Sequence, residues 1–590
     1  MNNLITILKY LPNYKILLFF SGLTSILYVI FNALSLWLVS NLLSMMFNEE
    51  ISIKNESIDK IFTYLSNYNQ LNQIKILCFL IFGTFILKNI FYLLNHYSLS
   101  YIKNNIIRNL KIKLYNHFNQ LSYAVIRKID SSSITSIMIH DINQIKSSLN
   151  LTLQSIIIEP LQIIVFILLM MYLNFKITLG LFFLIPLSGW LIVKLGKEVK
   201  KQSKKSTQRV EKILFRIKET IQAIKLVKST NMGEKEYNLF HKENENLYNL
   251  YQKHDKIHIL TSPINDMIGV IFGIAILWFG SKEIILYNNI QKTDFITYII
   301  FLFAMLQPIR QLVNINSIFQ TGIASFEKIT NFLSYRNTII KLKGIKKIER
   351  FENDLIFKNI FFKYDNNNRY ILNNVNFIIR KGDINVIVGK SGIGKTTIVD
   401  MILKFIRPEK GEIIIDNHNL KKYDTKSLRK IISVVHQKTI LFNDTIYNNI
   451  NYGNNINDIS KIKEAAKKAQ AFDFINKLPE GFNTIIGENG QLLSEGQKQR
   501  IAIARGLLKN AEIYIFDESM SALDLKTEEL IKAIIQELKN KTIIIISHRI
   551  ETINIADQII LLKNGTVCGN GTHSYLIENN KEYQKLYNIN

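Results

Sequence analysis

At 590 residues with a formal net charge of +26, the chain is too long for one ordinary core, and its basicity raises the question of nucleic acid. Lysine comes with a heavy excess of asparagine and isoleucine, and the basic residues gather beside long apolar runs. The charge therefore reads as a membrane-orientation signal, and no nucleic-acid partner is expected. Cys78 and Cys568 form no metal or disulfide pattern, which excludes a disulfide-framed fold.

Apolar runs of about 20 residues, long enough for the roughly 30 Å bilayer core, fill the chain up to about residue 335. In order they are 16–47, 74–100, 150–173, 177–197, 258–287 and 294–325, which predicts six spanning helices. The first, from Ile16 to Phe47, is too long for a signal-peptide core and lacks a small-residue cleavage pattern, so it is expected to remain. Glu49, Glu50, Glu56 and Asp59 against Lys54 and Lys60 follow it, whereas Lys103, Arg108, Lys111, Lys113, Arg127 and Lys128 follow the second run. This asymmetry places the N-terminus and the long basic segments in the cytoplasm.

Residues 98–150 and 195–257 keep helical spacing with almost no glycine or proline, so the spanning helices are expected to continue beyond the membrane. The turns near 123–131 and 226–236 end these extensions and are the expected coupling elements. Leu173-Asn174-Phe175-Lys176 is only a turn, which leaves the bulk on the cytoplasmic side. Within the spans, Lys88, Glu159 and Arg310 are costly unless they pair or face a cavity. Two readings stay open: Lys88 and Arg310 snorkel or pair with Glu159, or they line a substrate cavity that attracts an anionic headgroup.

From about residue 336 the pattern changes. Ile384-Asn385-Val386-Ile387-Val388 is a β-rich run that enters Gly389-Lys390-Ser391-Gly392-Ile393-Gly394-Lys395-Thr396-Thr397, and Thr397 to Met401 opens a helix. This strand, loop and helix form the setting in which backbone N–H groups and a helix N-terminus cradle phosphates. Lys395 then reaches the terminal phosphates of ATP, and Thr396 offers a hydroxyl to Mg2+. A second strand, Glu512 to Phe516, delivers Asp517 to the metal and Glu518 to the attacking water as general base. A third, Thr542 to Ile546, ends in Ser547-His548, where His548 can contact the γ-phosphate or the water. Upstream, the ring of Tyr364 is placed to stack on adenine.

Leu493-Ser494-Glu495-Gly496-Gln497 resembles the signature of ABC ATPases, usually LSGGQ. Thr484 to Gly490 looks like the X-loop of exporters, Ser521-Ala522-Leu523-Asp524 matches the D-loop, and Gln437 with its neighbours looks like the Q-loop. The resemblance covers essentially the whole chain and is that of an exporter-type half-transporter. It implies a multi-domain fold: an all-α six-helix transmembrane domain over 1–335 with long cytoplasmic extensions, then an α/β P-loop ATPase domain over 336–590.

The resemblance further implies that Gln437 touches the metal and the reacting phosphate, and that Ser494, Gly496, Gln497 and Asp524 meet the ATP bound by the opposite subunit. The expected partner is thus a second half-transporter, most simply another copy of this chain, in the inner or plasma membrane among its lipids. The cargo would be an amphipathic lipid, drug or other hydrophobic compound. A heterodimeric peptide or drug exporter stays open, as does a membrane sensor or channel that uses ATP as a switch. Glu495 replaces the first signature glycine, and Met520 stands where threonine is usual. Ile158 occupies a position where relatives that flip lipid A carry a basic residue.

Overall fold

The computed structural model describes residues 14–46, 69–129, 131–182, 205–206, 208–285, 292–335, 346–364, 369–517, 533–538, 540–547 and 550–587. It divides into two compact units: Met1–Leu121 with Lys128–Arg336, and Asn337–Asn590 with Ser122–Arg127.

The first unit is helical: α1 (Lys15–Met46), α2 (Gln70–Gln120), then, past the single turn α3 (Tyr123–Ile126) that belongs to the other unit, α4 (Ile142–Leu173), α5 (Phe175–Phe182), α6 (Gly233–Ile285) and α7 (Lys292–Ser334). At 51 residues α2 is roughly 75 Å long by its rise per residue, more than twice the apolar thickness of a bilayer. It therefore continues well past the membrane.

Among the described residues, Lys15–Met46, Gln70–Gln120, Ser155–Leu173 and Lys292–Leu312 are long and apolar enough to span. The fifth expected span lies inside α6, whose described apolar stretch is Gly269–Lys282. Most of the fourth, 177–197, lies outside the described residues. The turn between the third and fourth runs is as tight as its sequence suggests. Asn174 has extended backbone after α4, and its Oδ1 accepts from the Ile177 N–H at 3.0 Å to open α5.

Polarity in this unit runs inside out. Phe19, Phe79 and Phe82 point outward, the first two being 76% and 78% exposed, while Ser21, Ser25, Asn95 and Ser98 are buried between helices. Lipid is the solvent that suits such a surface, and small polar side chains let helices approach and hydrogen-bond. Asn95 Nδ2 on α2 donates to Ser21 O at 2.7 Å and to Ser25 Oγ at 2.7 Å on α1. Thr297 on α7 likewise donates to Ser40 Oγ at 2.9 Å. Phe166 of α4 stacks on Phe301 of α7 with ring centroids 5.7 Å apart.

The second unit contains two sheets. β1 (Asp354–Phe362), β2 (Leu372–Arg380), β4 (Lys410–Ile415) and β5 (His418–Asn419) form a sheet in the order β2-β1-β4-β5. The larger one runs β10-β9-β3-β8-β7-β6, from β3 (Ile384–Val388), β6 (Ile432–Val435), β7 (Ile513–Asp517), β8 (Thr542–Ile546), β9 (Gln558–Lys563) and β10 (Thr566–Gly571). β9, β3, β8, β7 and β6 pair in parallel, and β10 closes the edge antiparallel.

Both faces of the larger sheet are covered, which is why its central strands β3, β7 and β8 are dominated by apolar residues. Ile543 and Ile545 enter one core while Ile544 and Ile546 enter the other, and Val386 and Ile387 divide the same way. Burying each such side chain contributes about 1.5–3 kcal/mol.

Candidate nucleotide site

Because β3, β8, β7 and β6 are parallel neighbours, their carboxyl ends share one edge of the sheet. Ile546 registers against Ile387 on one side and Asp517 on the other. Asp517 therefore stands two strand spacings, about 10 Å, from the end of β3 where the glycine loop begins. Gln437 follows β6 at the same edge, and Ser547 follows β8. Open parallel sheets gather ligands at such an edge.

The loop leaving β3 is built so that backbone, not side chain, faces the edge. Gly389 has φ +147° and a Cβ there would meet Leu562 O at 2.6 Å; Gly394 has φ +107° and a Cβ there would meet Leu372 Cδ2 at 2.8 Å. Neither position tolerates another residue without a shift. Lys390, Ser391 and Gly392 form the exposed rim, and Ile393 is half-buried.

Gly394 caps the helix α8 (Lys395–Ile402), which thus begins two residues before the expected start at Thr397. Lys395 is the first residue of α8, buried, with Nζ donating to Gly389 O at 2.6 Å and Lys390 O at 3.1 Å. Its ammonium is held inside the curve of the loop, where phosphate oxygens would be met. Thr396 is exposed on the first turn, whereas Thr397 is buried.

Asp517 closes β7, one residue later than the expected strand end, because it still pairs with Ile546. Its carboxylate is buried, and Thr396 brings a hydroxyl to the phosphate-loop helix. These are hard oxygen donors of the kind Mg2+ prefers, so the donor set fits the metal. Glu518, Asp524 and His548, together with Met520, lie outside the described residues.

Tyr364 is brought to α8 by its own hydroxyl, 3.3 Å from Thr397 Oγ1. Phe362 packs edge-to-face on the ring at 4.9 Å. The Arg127 guanidinium stands 4.6 Å from its centroid, and its interaction with the Tyr364 side chain raises the arginine pKa above the ordinary value.

Arg127 closes the segment Ser122–Arg127 that clusters with this unit, and Tyr123 of the same segment packs on Phe405 at 5.1 Å. Sequence reasoning read Arg127 only as part of a basic run and a coupling turn; nothing in the local pattern pairs it with Tyr364. Asp400 of α8 has its carboxyl pushed up to about 6 by burial, an effect the nearby Arg127 charge opposes.

The signature opens α11 (Glu495–Leu508), after α9 (Ile446–Asn451) and α10 (Ile459–Lys468). Ser494 is its N-cap: Ser494 Oγ accepts from Gln497 N at 3.3 Å, and Gln497 Oε1 accepts from Ser494 N at 2.9 Å. This reciprocal box fixes the helix entrance with Gly496 in its first turn. Glu495 turns along the helix surface to Lys498 Nζ at 2.8 Å, its side chain 82% exposed. The substitution therefore leaves the cap intact and carries its own counter-charge.

In the helical unit, Lys88 is half-buried, with its ammonium 4.9 Å from the Phe85 centroid and 6.0 Å from that of Tyr28. Glu159 is buried, and among the described residues no ion pair joins it to Lys88. Arg310 is exposed on α7.

A helical membrane region fused to an ATPase whose phosphate loop, strand-end carboxylate and capped signature helix share one domain defines an ATP-driven membrane transporter. Family profiles agree over both parts: that of the ABC transporter transmembrane region matches residues 18–309, and that described as ABC transporter matches 372–521. The chain belongs to the ABC transporter family and couples ATP hydrolysis to transport across a membrane.

Among its relatives, the ATP-dependent lipid A-core flippase of Desulfotalea psychrophila is 34% identical over 88% of this chain and 90% of that protein. The ATP-dependent lipid A-core flippase of Haemophilus influenzae strain 86-028NP is 33% identical over 88% of each. A solved bacterial Atm1-family ABC exporter with ATP bound superposes with a TM-score of 0.83 at 22% identity, covering 98% of both chains, which shows a shared fold.

Proposed function

We propose that two copies of this chain form a flippase for an amphipathic lipid with an anionic headgroup, in the cytoplasmic membrane with N-terminus and ATPase unit inside. The observation that carries this reading is the shared sheet edge. It collects the phosphate loop, Gln437 and Asp517, and the capping box of Ser494 and Gln497 supports the signature helix that would meet a nucleotide on another subunit. The two lipid A-core flippases above support a lipid cargo.

Lys395 and the loop N–H groups from Gly389 to Thr397 hold the phosphates of ATP, and Tyr364 receives the base. Thr396, Asp517 and Gln437 would hold Mg2+, which neutralises phosphate charge when bound with the nucleotide. Glu518 accepts the proton of the attacking water, and His548 orients the γ-phosphate and that water. Ser494, Gly496, Gln497 and Asp524 of each copy complete the site of the other, so closure depends on ATP binding better to the closed pair than to the open one. Lys88 and Arg310 are the cations an anionic headgroup would meet.

ATP turnover of the purified protein in nanodiscs, measured with an anionic glycolipid, a zwitterionic phospholipid, a peptide or a hydrophobic drug, tests the cargo. Selective stimulation by the anionic lipid is expected. Stimulation by peptide or drug alone removes the lipid reading and keeps the ATPase.

A further inference from the structure

We infer that Arg127 is a positioning residue for the nucleotide, its guanidinium holding the Tyr364 ring beside the phosphate-loop helix in the attitude that receives adenine. The inference rests on Tyr364 being the adenine platform, as set out under the proposed function.

Three contacts converge on that ring. Its hydroxyl is 3.3 Å from Thr397 Oγ1, Phe362 packs against it at 4.9 Å, and Arg127 lies over it at 4.6 Å. Thr397 and Phe362 are buried parts of the ATPase core, whereas Arg127 is exposed and comes from residues more than 230 positions away along the chain. A cation over an aromatic face is attracted by the ring quadrupole, and a planar guanidinium stacks where an ammonium would not.

The short segment that carries Arg127 is anchored at its start. Tyr123 packs on Phe405 at 5.1 Å, just beyond α8, and Ala124 packs against the same core as Tyr364. The half-buried Asp400 carboxyl of α8 lies within electrostatic reach of the guanidinium. The segment thus fixes the arginine from the side of α8 remote from the glycine loop, and the arginine fixes the ring. Ser122–Arg127 follows α2 along the chain and clusters with the ATPase unit.

This makes base affinity, not phosphate cleavage, the quantity that Arg127 controls. The test uses the full-length protein in nanodiscs as wild type, Arg127→Ala, Arg127→Lys, Tyr364→Ala and the Arg127→Ala/Tyr364→Ala pair. KM and kcat are measured for ATP, together with inhibition by inorganic triphosphate, which has no base.

Arg127→Ala is expected to raise KM for ATP roughly twofold to fivefold, the range of an exposed cation–π contact, with kcat and triphosphate inhibition unchanged. Arg127→Lys falls between it and wild type. In the Tyr364→Ala background, Arg127→Ala adds nothing. A lower KM in Arg127→Ala would mean that the guanidinium obstructs the base and overturns the inference; so would an equal loss of triphosphate affinity or a fall in kcat, which would mark general support of the loop. If Tyr364→Ala leaves KM for ATP unchanged, the adenine reading itself fails. If Tyr364→Ala raises KM and Arg127→Ala does not, only the inference about Arg127 fails.

Discussion

The two units solve the same folding problem with opposite surfaces. In the ATPase unit, Ile543 to Ile546 are fully buried and polar side chains gather at strand ends. In the helical unit, Phe19 and Phe79 face outward and Ser21, Ser25 and Asn95 are enclosed. The difference teaches where stability resides. Water drives apolar burial in the sheet, whereas lipid offers no such drive between helices and leaves close packing and interhelical hydrogen bonds to hold them.

If chemistry is confined to the ATPase unit, Glu518→Gln should lower ATP turnover by roughly a hundredfold or more while ATP binding persists, as expected for loss of a general base. Steady-state turnover and equilibrium nucleotide binding on the same preparation read both quantities. Unchanged turnover would remove Glu518 from the role of base.

The contrast in stability is sharpened by one substitution in each unit. Ile545→Ala, in the middle of a fully covered sheet, should destabilise the ATPase unit by about 2–5 kcal/mol. Asn95→Leu removes the donor to Ser21 and Ser25 and should cost the helical unit only about 0.6–1.7 kcal/mol. Thermal unfolding of the full chain in nanodiscs, followed by protease sensitivity of each unit, ranks the two. A larger loss from Asn95→Leu would reverse the comparison.

The smallest expected effect is a pH dependence found on the water-exposed side. The folded Asp400 carboxyl titrates near 6, above its usual 3.8, so the folded chain holds an extra proton between those values. Stability conferred by that proton is present at the acid end of this window and declines as pH rises through it. Asp400→Asn should flatten the decline in a melting series from pH 4 to 7; an unchanged slope would show that another group titrates.

Much of the ATPase unit was legible because its signals are local. Ile384–Val388 and Thr542–Ile546 are runs rich in β-branched residues and form strands with the expected bounds. The glycine loop is read from positions where backbone must replace side chain, and Gly389 and Gly394 bear that out. Shifts of one or two residues at Lys395 and Asp517 come from a left-handed cap and a last ladder pair, which depend on neighbouring strands.

The helical unit was legible by length and hydropathy, so α1, α2, the apolar end of α4 and α7 emerge from composition alone. The fifth run lies within α6, where the described apolar stretch is Gly269–Lys282. Invisible to any local pattern was the meeting of Arg127 with Tyr364, since it joins residues far apart in the chain through the packing of Tyr123 on Phe405. Equally, no periodicity shows that Glu495 would turn to Lys498, although their three-residue spacing on one helix permits it.

The central claim is that each ATP is cleaved at a site completed by a second copy. The most direct test counts copies per nanodisc by single-particle mass measurement and records ATP turnover of the one-copy and two-copy fractions separately. The account predicts turnover in two-copy discs only, abolished there when both copies carry Ser494→Ala. Equal turnover per copy in one-copy discs, insensitive to Ser494→Ala, would contradict it.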